Sequence, residues 1–251
     1  MTVPILYSPP RLEETYWPHV EREVNLNWDI INNTHHLIVG STGSGKSHLG
    51  INGILKPMCA FDRVLIVDTK GDDPTTSVVG KPVRELPRNT WYKGMWRKEQ
   101  PFDNWYRLVT YDGHMQNSKA REQVGQTIIR CVKEGNWIIF LDEAGEICES
   151  GVPNLGLGKV VGWGLKKGRY HRVPFISATQ APVWIPRWLI DQSTFVWGGY
   201  IRDPRRQKLV ADVLGMSDRE SQKHVMNLSK REWILSADPL DLFYKTMVTR
   251  G

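Results

Sequence analysis

Eight consecutive residues, Gly40-Ser41-Thr42-Gly43-Ser44-Gly45-Lys46-Ser47, match the phosphate-binding pattern G-x-x-x-x-G-K-[ST] at every position. The glycines let the backbone curl so that successive N–H groups converge on phosphate oxygens. A helix beginning near Gly45 adds its positive end, and its next residue, His48, is counted with the nucleotide-binding positions. Lys46 is placed to reach the β- and γ-phosphates and the Ser47 hydroxyl to bind Mg²⁺, so ATP and Mg²⁺ are the expected cofactors.

A second signature is Asp142-Glu143, which follows the apolar run 137–141. An aspartate at a strand end beside a phosphate loop can orient the shell of a magnesium ion, and a neighbouring glutamate can polarise an attacking water. Asp142 is therefore assigned to the metal together with Ser47, and Glu143 to catalysis as the base. Two acids after an apolar run are common by themselves; their weight comes from lying downstream of a phosphate loop. Thr179-Gln180 follows another apolar run, where a polar side chain lies in the crevice that holds ligands in doubly wound sheets. Gln180 could there bond both the γ-phosphate and the water. Arg169, Arg172, Arg202, Arg205 and Arg206 are candidates for an arginine that neutralises transition-state charge, supplied by the same or a neighbouring subunit, with surface or DNA contact as the plainer role for any one of them.

These groups need strand ends to position them. Residues 37–39 predict a buried strand ahead of the loop, and residues 47–55 a helix ended by Pro57. Short apolar runs at 63–68, 105–110, 137–141, 173–178, 194–200 and 232–236 predict further strands, the last of these the final one. Val124, Ile128, Ile129 and Val132 give 118–133 a helical period that stops at Gly135, and 157–167 and 205–214 also predict helices. Strands alternating with helices imply an α/β fold with a mostly parallel sheet and helices on both faces. Residues 1–33, with four prolines, read as an N-terminal arm with at most a short helix near 13–23, acting as a flap or subunit contact; residues 34–251 form the ATPase domain. Residues 73–100 show no period and read as surface loops or a small insertion.

At 251 residues the chain is long enough for a sizeable core. No apolar run approaches membrane-spanning length and the first residues lack a signal-peptide pattern, so the expectation is a cytoplasmic protein without membrane insertion. Cys59, Cys131 and Cys148 lack metal-ligand spacing and read as buried reduced thiols. The net charge of +6 suits a polyanionic partner, and it is uneven: 1–33 holds two arginines against five carboxylates, whereas 166–172 and 202–208 are basic. Any contact with a phosphate backbone belongs to the later half, with Lys166, Lys167, Arg172, Arg205 and Arg206 as the candidates. Among the eleven tryptophans, Trp184, Trp188 and Trp197 follow the Gln180 strand; core filling is expected of them, with base stacking as the alternative. His35 and His36 are expected to be structural.

The segments HHLIVGSTGSGKSHLGINGIL, VLIVDTKGD, WIIFLDEAGEI and GRYHRVPFISATQAP, in this order and spacing, resemble the FtsK/HerA superfamily of DNA-pumping ATPases over about 37–210. The resemblance implies a RecA-like P-loop NTPase core and a ring homo-oligomer, a hexamer or pentamer, around double-stranded DNA. It places Lys46, Ser47, Asp142, Glu143 and Gln180 on nucleotide, metal and catalytic positions and points to Arg169 as the arginine acting in trans; Asp68 and Lys70 match a family strand end of less certain role. Ala181 departs from the pattern, standing where many members have arginine, and neither the membrane-spanning N-terminus nor the winged-helix reader of chromosome-segregation members is found. The expectation is accordingly a viral genome-packaging motor in the host cytoplasm or virion, with a capsid or portal-vertex protein as a further partner. A conjugative or mobile-element translocase, a filamentous-phage-type assembly ATPase and a nucleotide-dependent switch are the alternatives.

Overall fold

The computed structural model describes residues 12–28, 34–60, 62–71, 74–83, 86–87, 101–110, 118–149, 154–180, 183, 185–216, 219–237, 240 and 242–248. The parallel part of its sheet consists of short runs rich in β-branched residues: β2 (His35–Val39), β3 (Val64–Asp68), β5 (Trp105–Val109), β6 (Ile138–Asp142), β7 (Phe175–Thr179) and β8 (Ser193–Gly199). An edge strand, β4 (Lys81–Val83), carries Pro82, which cannot donate to a ladder and is tolerated at an edge. The short β1 (Glu13–Glu14), β9 (Glu232–Ala237) and β10 (Leu242–Met247) complete ten strands in the order β1-β10-β9-β8-β2-β7-β6-β3-β5-β4. Pairing is parallel from β4 through β8 and antiparallel at β8–β9 and β9–β10.

Side chains alternate across this sheet into two cores. Ile38, Ile66 and Phe140 face one side, under α1 (Trp17–Asn27) and the helix that follows the phosphate loop. Leu37, Val67 and Leu141 face the other, under α4 (Ser118–Glu134), α6 (Gly158–His171), α8 (Pro204–Val213) and α9 (Arg219–Met226). The short α5 (Ala144–Cys148) and α7 (Arg187–Asp191) follow β6 and precede β8. The predicted mostly parallel sheet with helices on both faces is the observed one.

Three local expectations are corrected. The loop helix does not end at Pro57: α2 (Lys46–His48) passes into a π-helix (Leu49–Leu55) and then α3 (Lys56–Cys59), so the proline lies inside a turn whose preceding residue already bonds five back, Lys56 N–H to the Ile51 carbonyl. Gly50 lets this helix lie directly on β6, because a Cβ there would fall inside the Phe140 ring. Residues 232–236 are not the last strand, since β10 returns antiparallel beside β9. The short helix expected near 13–23 runs instead over Trp17–Asn27, with Pro18 in its first turn, and its Trp17, Val20 and Val24 are buried in the sheet-facing core. The remainder of the arm, 1–11 and 29–33, lies outside the described residues, as do 72–73, 84–85 and 88–100 of the stretch read as loops.

Of the tryptophans singled out, Trp197 is fully buried and Trp188 packs on the core, while Trp184 lies outside the described residues. The three cysteines are buried free thiols, and burial pushes Cys148 up to about 12. His35 and His36 are structural. His35 Nδ1 accepts from the Phe175 N–H, and its Nε2 faces the Leu165 carbonyl, tying β2 to β7 and α6. His36 stacks on Phe195 and accepts from Trp197 Nε1.

Burial holds both rings neutral, lowering His35 to about 4 against the carbonyl bond that raises it, and His36 to about 3. Unfolded histidine titrates near 6.5, so below that pH the unfolded chain binds more protons than the folded one and stability falls as pH drops. At pH 5 the loss is about 2 kcal/mol for each histidine. Thermal melts between pH 7.5 and pH 5 should show a falling Tm, with His36→Phe removing roughly half of the dependence; a Tm independent of pH over this range would rule out neutral buried imidazoles.

Candidate active site

The ends of four adjacent strands lie level with one another: Asp68 pairs with Asp142, Asp142 with Ala178, and Val39 with Thr179. This row of carboxyl-terminal strand ends forms the crevice in which a parallel α/β sheet presents its ligand groups. The phosphate loop is seated in it through the Gly40 N–H to the Thr179 carbonyl at 3.2 Å and the Ser41 N–H to the Tyr200 carbonyl at 3.0 Å. Gly45 adopts φ +100°, a left-handed conformation that side chains resist, and its carbonyl accepts the Leu49 N–H as the helix begins. Lys46 folds back over the loop and donates from Nζ to the Gly40 and Ser41 carbonyls at 2.9 and 3.1 Å.

The Ser47 hydroxyl donates to Asp142 Oδ1 at 3.1 Å, so the two predicted metal positions meet although they come from separate elements. Both are buried. A hydroxyl and a carboxylate, two hard oxygen donors beside a phosphate loop, fit Mg²⁺, which uses few protein ligands and takes the rest from phosphates and water. Asp142 Oδ2 faces Lys70 Nζ at 3.7 Å, a cation already at the position where this carboxylate meets positive charge.

Glu143 is the strained residue of the site, with φ 108° and ψ 66° in a non-glycine residue, a conformation that costs on the order of 1–3 kcal/mol. Its side chain is held by two bonds to Oε1, from the Thr179 hydroxyl at 2.8 Å and the Gln180 N–H at 3.0 Å. Oε2 is buried and makes no hydrogen bond among the described residues. The next helical turn places Glu146 nearby; burial raises its carboxyl above the usual range, Glu143 adds to this, and Thr69 and Lys70 oppose it. The Gln180 side chain reaches the loop itself, hydrogen-bonded through Oε1 to the Thr42 hydroxyl.

Asp68 anchors the turn after β3. Its Oδ1 accepts the N–H groups of Lys70 and Gly71 at 3.0 and 2.9 Å, and its Oδ2 accepts from the Thr76 hydroxyl at 2.9 Å and the Arg107 guanidinium at 3.2 Å. Thr69 donates to the Asp142 carbonyl. The Asp-Thr-Lys strand end is thus tied to both the backbone and the side chain of Asp142.

The arginines and lysines separate. Lys166, Lys167, Arg169 and Arg172 are exposed at the carboxyl end of α6, next to the start of β7, where the Arg169 charge acts on His35. The phosphate loop leaves the other end of β2, a five-residue strand roughly 16 Å long. Arg169 therefore faces away from the loop of its own chain. Arg202, Arg205 and Arg206 lie at the loop's end of the sheet: the Arg202 N–H reaches the Ser41 hydroxyl at 3.3 Å, and Asp203 caps α8 and pairs with Arg206 at 3.7 Å. Ala181 lies outside the described residues.

Sequence reasoning missed Arg231, whose N–H donates to the Ser44 carbonyl at 3.2 Å and whose stem lies against Gly45. Nothing near Arg231 in the sequence marks it, since its neighbourhood is created by the antiparallel return of β9. Arg107 and Thr76 were missed for a similar reason: they hold Asp68 and touch no expected ligand.

The fold and the phosphate loop define the class, a P-loop NTPase of RecA-like architecture. No family model matches the chain. It is 28% identical over 203 residues to Protein P9 of Pseudoalteromonas phage PM2, covering 80% of this chain and 83% of that protein. In structure it is similar to the genome packaging NTPase B204 of Sulfolobus turreted icosahedral virus 2, solved with AMPPCP, with TM-score 0.62 and 16% identity over 88% of this chain and all of that one. VirB4 of Thermoanaerobacter pseudethanolicus matches with TM-score 0.58 and 10% identity over 89% and 93% of the two chains. The likeness in fold to a genome packaging NTPase and to VirB4 thus extends over nearly the whole of this chain.

Two substitutions separate binding from chemistry at this site. Glu143→Gln keeps an oxygen for Thr179 and the Gln180 N–H but cannot take a proton, so fluorescent-nucleotide affinity should persist while phosphate release slows at least about a hundredfold. Lys46→Ala should lose nucleotide binding itself. Undiminished turnover by Glu143→Gln would remove Glu143 from the mechanism.

Proposed function

We propose that this chain is an ATP-dependent translocase of double-stranded DNA, working as a viral genome-packaging motor. The observation that carries the hydrolytic reading is the Glu143 carboxylate, braced through Oε1 by Thr179 and Gln180 with Oε2 buried beside the Ser47–Asp142 pair. Its likeness in fold to a genome packaging NTPase and its positive charge support the DNA and viral parts.

In this reading the loop N–H groups and Lys46 hold the phosphates, and Ser47 and Asp142 would hold Mg²⁺, which would supply neutralisation of phosphate charge. Glu143 Oε2 takes the proton of the attacking water. Gln180, bonded to Thr42 of the loop and through its own N–H to Glu143, links the state of the phosphates to the catalytic base. Arg169 cannot serve its own loop from the far end of β2, so it acts on the nucleotide of a neighbouring subunit in a ring, a hexamer or pentamer. Lys166, Lys167, Arg172, Arg205 and Arg206 contact the DNA backbone, and a capsid or portal-vertex protein docks the ring. The setting is the host cytoplasm or the virion; among the described residues no helix is long and apolar enough to cross a membrane.

The test combines DNA and subunit mixing. Phosphate release should rise with added double-stranded DNA and more than linearly with protein concentration. Arg169→Ala subunits that keep Lys46, mixed with Lys46→Ala subunits that keep Arg169, should regain part of the activity that either lacks alone. An arginine acting in trans is expected to contribute 10³–10⁵ in rate, by analogy with about that range elsewhere. No recovery at any mixing ratio, with co-assembly verified, would place Arg169 within its own subunit or on DNA; indifference to DNA would favour a nucleotide-dependent switch.

A further inference from the structure

The steps above leave the Asp-Thr-Lys end of β3 without a part, yet it is bound closely to the site. Asp142 is a fully buried carboxylate, and such a group is tolerated only when hydrogen-bonded and paired. Ser47 serves one oxygen and the Lys70 ammonium faces the other. Lys70 differs from the rest of this cluster in being partly solvent-accessible, with its side chain 31% exposed. Its backbone is fixed, because Asp68 accepts the N–H groups of Lys70 and Gly71 while Thr76 and Arg107 hold Asp68. The base of the lever is rigid and the four-carbon stem is what can swing.

We propose that Lys70 is the internal cation of this site, neutralising Asp142 until a magnesium–nucleotide complex displaces it, with Asp68 as the positioning residue that aims it. This rests on the nucleotide reading of the site. Two cations held against one buried carboxylate repel each other strongly, so the ammonium and the metal compete for its charge. Glu146 on α5 is the other carboxylate of the site on which the Lys70 charge acts. Movement of Lys70 from Asp142 towards Glu146 keeps the lysine paired while it clears the metal position. The device prevents an uncompensated charge in the crevice and sets how much Mg²⁺ is needed to load it.

The experiment is a Mg²⁺ titration of the full chain at fixed fluorescent ADP, which involves no turnover, together with melting curves with and without Mg²⁺ and ADP. In Lys70→Met and Lys70→Gln the half-saturating Mg²⁺ concentration should fall about five- to tenfold, as expected for removing one competing charge from a partly exposed pair. The nucleotide-free variants should melt lower than wild type, and their gain in Tm on adding Mg²⁺ and ADP should be larger. Lys70→Arg, which keeps the charge, should stay close to wild type. An unchanged or raised Mg²⁺ requirement in both neutral variants overturns the proposal and makes Lys70 a bystander or a phosphate ligand. Failure of the wild type to bind ADP at any Mg²⁺ concentration is a different result: it rejects the nucleotide reading of the site.

Discussion

The contact between the Ser47 hydroxyl and the Asp142 carboxylate sets the tolerance for everything around it. One group stands on a helix that begins at the end of β2 and the other at the end of β6, and β7 lies between those strands. For the two to meet, the three strands must end level, and the helix must lie close against the sheet. Both conditions are built into the sequence. Level ends come from strands of equal length and uninterrupted parallel pairing; close approach comes from Gly50, where any side chain would collide with Phe140 of β6 itself. The π-helix that follows α2 packs against Trp17 of α1 as well, where a Cβ at Gly53 would come within 3.0 Å of the indole.

Buried charge is the cost of this arrangement, and the site handles it in a graded way. Asp68 is satisfied by four donors, two of them backbone N–H groups, and has a purely structural environment. Asp142 shares a hydroxyl and an ammonium. Glu143 has one oxygen braced and the other left without a hydrogen bond, on a backbone held in an unfavourable conformation. Asp68, with four donors, is the most fully bonded of the three, and Glu143 keeps one buried oxygen without a hydrogen bond among the described residues. Backbone strain and an unbonded buried oxygen meet at Glu143, the combination that suits the base of the proposed hydrolysis.

Much of this was legible in the sequence because the chemistry is local. The loop fits its pattern residue by residue, and Asp142, Glu143 and Gln180 each close an apolar run, so the strand ends that carry them were visible. What stayed hidden depended on distant parts of the chain. β10 has Tyr244, Lys245 and Thr246 within its span, and it is held between β9 and the distant β1, with which Tyr244 and Lys245 pair. Pro57 misled, since it looked like a terminator and is carried through the helix, whereas Pro18, within the helix expected near 13–23, lies in that helix's first turn. Arg107 and Arg231 could not be assigned, because nothing in their own segments says which strand or loop they will meet.

The placement of the basic groups adds a constraint on any assembly. Arg202, Arg205 and Arg206 share an end of the sheet with the phosphate loop, whereas Lys166, Lys167, Arg169 and Arg172 crowd the other end, a strand's length away. One subunit therefore cannot bring both clusters to one phosphate, and an exposed cation cluster gains little from remaining alone in water. Under the proposed ring, contacts between subunits are head to tail, so the α6 end of one chain meets the loop end of the next. Arg169 would then lie across the nucleotide of its neighbour, and Tyr170, 86% exposed beside it, would be covered by the same interface. On that geometry the cations at the end of α6 divide between roles: those nearest the neighbouring loop serve its nucleotide, and only those turned toward the pore remain available to DNA. Arg205 and Arg206, on the first turn of α8 next to the loop of their own chain, are then the cations through which a change at the phosphates could most directly be felt by DNA.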